Sequence, residues 1–225
     1  MRIKYFQEPK KIYHINSFLT SSDIEIKDIT KAWLAISIAF GLVLGGLTSK
    51  FFFTFAISSI AVGLGFLLHE LSHKYFAQKY GYKAEFRSFD EMLFLAIIMG
   101  FFGFVIAAPG AVMIFSRVID KRKNGIISVA GPITNIILAV VFFAIAVLFT
   151  GSFQGAVSLM NQHIFEILKT SFFESLLVIG FIVNSWLALF NMIPFWLFDG
   201  KKVFNWNKAV WIIVVLIAVY FTFFI

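Results

Sequence analysis

Two histidines and a glutamate, in the order His69-Glu70-Leu71-Ser72-His73, interrupt the otherwise apolar stretch from Phe51 to Ala77. On an α-helix of about 3.6 residues per turn, His69 and His73 lie one turn apart on the same face, so both imidazoles reach a single ion. Glu70 points about 100° around the helix from His69, which suits a carboxylate holding a water beside the ion better than a third ligand. The chemistry this spacing serves is metal-assisted hydrolysis, in which the ion drops the pKa of a bound water toward ~7 and a carboxylate takes the proton. H-E-x-x-H also occurs by chance in soluble helices rich in Glu and His. Inside a membrane span an ionisable residue costs about 2.5–3.5 kcal/mol on insertion scales, so such a cluster there points to function.

The sequence contains no cysteine, which leaves nitrogen and oxygen ligands for any metal. A catalytic zinc usually takes three protein ligands and keeps a further position open. The metzincin continuation would place a glycine and a third histidine after His73, but Phe76 and Lys79 stand at those positions. Among the acidic residues, Glu85, Asp90, Glu91 and Asp120 fall in predicted cytoplasmic loops, and Glu166 and Glu174 fall outside. Asp199 differs, because it ends a hydrophobic span that Pro194 interrupts. Its depth also matches: His73 is followed by Lys74, and Asp199-Gly200 by Lys201 and Lys202, so both sites lie toward the basic ends of their spans. A third polar cluster, Gly131-Pro132-Ile133-Thr134-Asn135, opens the span that runs outward from the same side, with Pro132 expected in the helix's first turn. The Asn135 amide suits either a hydrogen bond to developing charge on a substrate oxygen or an interhelical hydrogen bond.

Positioning these residues falls to a chain of 225 residues that is 60% hydrophobic and 14% charged, with a mean hydropathy of +0.90. Such a composition is that of an integral membrane protein in the lipid bilayer, with room for one bundle and for no appended domain. The net charge of +7 then reads as basic cytoplasmic loops beside anionic lipid rather than as a nucleic-acid surface. Residues 1–31 form a polar arm without the apolar run of a signal peptide, and Ile12 to Ile15 is prone to form a strand. Hydrophobic runs follow at Ala32 to Thr48, Phe51 to Ala77, Met92 to Ala108, Val129 to Phe149, Leu176 to Phe198 and Ala209 to Ile225. Each approaches the ~20 residues a span needs.

Basic residues concentrate in the arm, around Lys74, Lys79, Lys83 and Arg87, around Arg117, Lys121, Arg122 and Lys123, and around Lys201, Lys202 and Lys208. All four segments are expected on the cytoplasmic side, and the turn at Ser49-Lys50 and the Thr150 to Ser175 connection outside. Both flanks of Met92 to Ala108 then fall inside, so that run is expected to enter and leave by one face as a re-entrant or surface-lying hairpin. The fold class expected is an all-α polytopic membrane protein, a bundle of five to six transmembrane helices with short β-strands in cytoplasmic excursions. One membrane-embedded domain occupies residues 1–225, with residues 51–200 as its catalytic core.

The three clusters together resemble the site-2 protease family of intramembrane zinc metalloproteases, whose core is three transmembrane helices. H-E-x-x-H followed by a small residue is matched by His69 to His73 and Ala77, G-P-x-x-N by Gly131, Pro132 and Asn135, and N-x-x-P with a D-G pair by Asn191, Pro194, Asp199 and Gly200. The motifs stand in family order over roughly Val62 to Lys202. The resemblance implies that His69, His73 and Asp199 bind one Zn2+ per chain and that Glu70 activates the water. It also implies that Asn135 aligns substrate or stabilises an oxyanion, and that the reaction is regulated intramembrane proteolysis of a transmembrane protein. Phe198 stands where leucine is usual and Lys201 where a second glycine is frequent, and neither change removes a ligand. Two other readings use the same residues: a metal-ion transporter, which would need polar groups continuing to the far side, and a scaffold that binds metal for stability. The outer halves of the spans, such as Phe51 to Val62 and Leu138 to Leu148, are almost wholly apolar.

Overall fold

The structure is a computed structural model that describes residues 11–105, 109–116, 118–195 and 198–225. The first part of the polar arm, the end of the Met92 to Ala108 run, Arg117, Trp196 and Leu197 lie outside the described residues. Strand β1 (Ile12–His14) pairs antiparallel with β2 (Thr20–Ser22), and α1 (Asp23–Gly45) follows directly. The helix therefore starts within the arm, where the Ser22 side chain accepts from the Glu25 backbone N–H and caps the first turn.

Next, α2 (Phe51–Ser58), a π-helical turn (Ser59–Gly63) and α3 (Leu64–Lys79) run on as one rod, Phe51–Lys79, of 29 residues. Strand β3 (Lys83–Ser88), α4 (Asp90–Phe101) and β4 (Gly110–Phe115) form the excursion that follows. The long α5 (Lys121–Thr150), short α6 (Phe153–Met160) and α7 (Ile164–Ile167), α8 (Phe172–Asn191), α9 (Asp199–Trp206) and α10 (Lys208–Phe223) complete the chain. The protein is thus an all-α polytopic membrane protein with small sheets. Among the described residues, four helices are long and apolar enough to cross a bilayer: α1, the α2–α3 rod, α5 and α8. With 16 residues, α10 extends ~24 Å, short of a ~30 Å hydrocarbon core.

The α4 excursion closes on itself. Strands β3 and β4 pair antiparallel from Lys83↔Phe115 to Ser88↔Gly110, so the chain departs and returns at neighbouring positions. A helix of 12 residues covers only ~18 Å, too little for a crossing. This is the geometry of a hairpin rather than of a sixth span, and β3 and β4 are short strands of the kind expected in the excursions between helices.

Two spans begin or end elsewhere than their apolar runs suggest. Asp120 caps α5 by accepting from the backbone N–H groups of Arg122 and Lys123, so the helix starts ahead of the apolar run. Pro132 consequently lies inside α5, not in its first turn. Helix α8 stops at Asn191, and Asp199 opens the separate helix α9 instead of ending a span.

Lipid offers helices little hydrophobic reward for associating with one another, so close packing of small residues must hold the bundle. Ala139 and Ala146 on α5 and Ala61 in the π turn are fully buried, in a cluster with Leu177, Val178 and Phe181 of α8. On the opposite side of α5, Ile137, Val140, Val141 and Leu148 are exposed, as a lipid-facing surface requires. At the basic end of the rod, Lys74 makes a 2.5 Å ion pair with the fully buried Glu25 of α1. Arg87 pairs with Glu85 along β3. Two of the basic residues counted in that segment are therefore internal struts with their charges matched inside the protein.

Candidate metal and catalytic site

Each of the three motifs ends on its own helix, and the helices bring them together. His69 and His73 project from α3 with their ring centroids 4.7 Å apart. Asp199 is the first residue of α9, where the positive end of the helix dipole faces its carboxylate. Its Oδ2 lies 3.3 Å from His69 Nε2 and 3.0 Å from His73 Nε2, and the two Nε2 atoms are 3.0 Å apart. All three residues are buried. The other carboxylate oxygen, Oδ1, faces Lys202 Nζ at 3.4 Å.

The hydrogen bonds on the far sides of the rings decide what converges on that triangle. His73 Nδ1 lies 2.7 Å from the carbonyl oxygen of Ile127, which can only accept, so Nδ1 carries the proton. His69 Nδ1 lies 2.6 Å from Asn135 Oδ1. The Asn135 Nδ2 donates to the Gly65 carbonyl at 3.2 Å, which fixes its oxygen toward His69 and places the proton on that Nδ1 as well. With both rings neutral, two imidazole lone pairs and a carboxylate oxygen point toward one common centre, an arrangement that suits a cation. Tetrahedral zinc with bonds of ~2.0–2.1 Å separates its ligand atoms by about 3.3 Å, close to the spacing of this triangle. Two His nitrogens and one carboxylate oxygen form a donor set that such an ion accepts, and the residues fit the group the sequence implied.

Glu70 stands apart from the triangle as its position on the helix requires, with a ligand-capable oxygen within 4.8 Å of those of His69 and His73. Its Oε2 accepts from the Val112 backbone N–H at 3.0 Å. Val112 faces Phe86 across the β3–β4 pair, and the Phe86 N–H in turn donates to Glu25 Oε1 at 2.8 Å. In an antiparallel ladder, a pair whose N–H groups point outward makes no bonds to each other. Here each outward N–H is taken by a glutamate, one on α1 and one on α3, so the sheet is clamped between α1 and the Glu70 face of α3.

Close contacts explain the glycines of the motifs. A Cβ on Gly131 would lie 2.5 Å from His69 Nε2 and 2.6 Å from His73 Cε1, so only glycine lets α5 pass this close to the imidazoles. A Cβ on Gly200 would lie 2.1 Å from the Met192 carbonyl oxygen, where the start of α9 folds back on the end of α8. Trp211 Nε1 of α10 donates to that same carbonyl at 2.8 Å and ties the last helix to the turn that carries Asp199.

The structure thus brings His69, His73, Asp199, Glu70 and Asn135 into one neighbourhood. Asn135 is fully buried, and its amide contacts His69, Gly65 and Asn184, as an interhelical bond would. Sequence reading passed over Asn184, Val112 and the Ile127 carbonyl. Asn184 had a signal, as an amide within an apolar span; backbone groups have none.

The family model of peptidase family M50 matches residues 57–213, a range that holds all three motifs. A protein of Methanocaldococcus jannaschii named "Putative zinc metalloprotease" is 38% identical over 200 residues, covering 88% of this chain and 92% of its own length. No solved structure matches the chain.

Proposed function

The chain belongs to peptidase family M50, the site-2 protease family, and from that premise we propose that it is a zinc metalloprotease that hydrolyses peptide bonds within or near the transmembrane helices of membrane proteins. The observation that carries the reading is the convergence of His69 Nε2, His73 Nε2 and Asp199 Oδ2 within 3.3 Å, on helices that lie inside a membrane bundle. These three would hold the ion, one per chain. The chemistry it supplies when bound is a water acidified to a pKa near ~7 and a polarised carbonyl oxygen.

The protein's own groups do the rest. Glu70, aimed by Val112, takes the proton of the attacking water and returns it to the leaving amine, a role worth about 10²–10⁴ in rate. Ile127 and Asn135 hold the imidazoles with their lone pairs forward. The buried setting keeps bulk water from competing for the donors. A substrate helix reaches the site laterally and unwinds there, because helical hydrogen bonds shield the scissile carbonyl. The active site and the N-terminus face the cytoplasm in this reading, supported by the exposed Lys79 and Lys83 beyond His73 and Lys201 and Lys202 beyond Asp199.

The test uses the purified protein in liposomes with a single-span model substrate. Cleavage by the parent and its loss by about 10²–10⁴ in Glu70→Gln, with zinc content unchanged, is the expected result. Cleavage by Glu70→Gln at the parent rate would refute the role of Glu70. Zinc flux across the same liposomes without cleavage would favour a transporter.

A further inference from the structure

Behind His69 lies a second amide that the peptidase motifs do not include. Asn184, on α8, is fully buried. Its Nδ2 donates to the Ala61 carbonyl at 3.2 Å and to the Gly180 carbonyl at 2.8 Å. Its Oδ1 accepts from Asn135 Nδ2 at 2.9 Å. Carbonyl oxygens only accept, so the two backbone groups fix which end of Asn184 faces Asn135. Asn135 is then oriented twice, by Gly65 and by Asn184, and presents oxygen to His69.

We propose that Asn184 is a positioning residue for the metal site, the far end of a two-amide relay that holds the proton on His69 Nδ1 and the lone pair on Nε2. The inference rests on the metalloprotease reading of the site. Its logic is one of orientation. If the Asn135 amide turned over, Nδ2 would face His69 Nδ1, which would then have to accept, and the ring proton would move to Nε2, aimed at Asp199 and the ion. Without Asn184, a single long bond to Gly65 opposes that reversal.

The anchor of the relay lies in the π turn. A widened turn of this kind takes carbonyls out of the regular α-helical ladder, and such turns are frequent at functional sites. Ser59 O accepts from Trp33 Nε1 of α1 at 2.9 Å, and Ala61 O accepts from Asn184. The irregularity ahead of the H-E-x-x-H segment thus offers acceptors to two other helices. Gly65 keeps the channel open, since a Cβ there would lie 2.6 Å from Asn184 Oδ1.

The experiment measures the zinc Kd of the detergent-solubilised full chain in a double-mutant cycle of Asn135→Ala and Asn184→Ala, beside the melting temperature of each metal-free protein. Outer-shell partners of ligating histidines typically change metal affinity by about 10- to 100-fold, and Asn184→Ala is expected to weaken zinc binding within that range. In the Asn135→Ala background, where no amide remains to orient, Asn184→Ala is expected to add nothing. Ser185→Ala removes from the same helix a buried hydroxyl that has no hydrogen-bond partner among the described residues, and is expected to leave the Kd unchanged.

Equal zinc affinity in Asn184→Ala and the parent would overturn the relay, and so would additive effects in the double variant, which mark a role in packing alone. Should the variants fail to fold, the zinc-loaded parent decides by ¹⁵N-histidine spectra: the His69 Nδ1–H is expected to be protected from solvent exchange, and rapid exchange would overturn the proposal. A parent that takes up no zinc fails the metalloprotease reading and the relay with it. A parent that binds zinc beside an equally competent Asn184→Ala fails the relay alone.

Discussion

At the scale of single residues, the site is a matter of which atoms face one another. His73 and His69 turn lone pairs toward Asp199 because Ile127 and Asn135 accept from their other nitrogens. The triangle of two Nε2 atoms and one Asp199 oxygen matches the donor set and spacing of a tetrahedral zinc site. The residue that controls its size is Gly131, whose missing side chain lets α5 touch both rings. Gly131→Ala is expected to push the imidazoles apart and to weaken zinc binding at least about 10-fold, as loss of ligand orientation does elsewhere. Isothermal titration of the metal-free protein with zinc reads this directly. An unchanged affinity would show that the rings can yield without losing the ion.

At the scale of elements, the β3–β4 pair braces Glu70, the general base of the proposed reaction. Val112→Pro deletes one N–H that points away from β3, so the ladder itself loses no bond. The expected outcome is a lower kcat with zinc affinity retained, measured on the liposome substrate, because Glu70 loses the donor that aims it. Much of this element structure was legible beforehand. The apolar runs located the spans, since lipid leaves backbone groups no alternative to helix, and the basic flanks of Met92 to Ala108 foretold a hairpin that the β3–β4 register closes. What escaped was set by helix caps and by partners distant in sequence. Hydropathy sees where lipid begins, whereas α5 starts at its Asp120 cap and α8 ends where Trp211 and Gly200 meet the Met192 carbonyl. Lys74 read as a loop charge because nothing local reveals that Glu25 waits for it inside the bundle. The candidate ligands were legible because metal chemistry admits few residue types and spacings. Their orienting groups were not, because two of them are backbone atoms.

At the scale of the whole molecule, a hydrolytic centre is held among helices whose outer surfaces are apolar, with its ligands near the basic ends of their spans. The proposed orientation puts the α6–α7 connection outside and the start of α10 inside. Because the chain lacks cysteine, single replacements test this cleanly. Gln162→Cys is expected to react with an impermeant thiol reagent from outside intact cells, and Lys208→Cys only after the membrane is opened; the reverse pattern would invert the topology. The central claim remains that His69, His73 and Asp199 close one zinc site with a position left for water. It is tested most directly by anomalous diffraction at the zinc edge from crystals of the zinc-loaded Glu70→Gln protein. The account predicts one zinc per chain at ~2.0–2.2 Å from the Nε2 atoms of both histidines and an Asp199 oxygen, with a non-protein oxygen completing the shell. Zinc found elsewhere, or a fourth protein side chain closing the site, would contradict it.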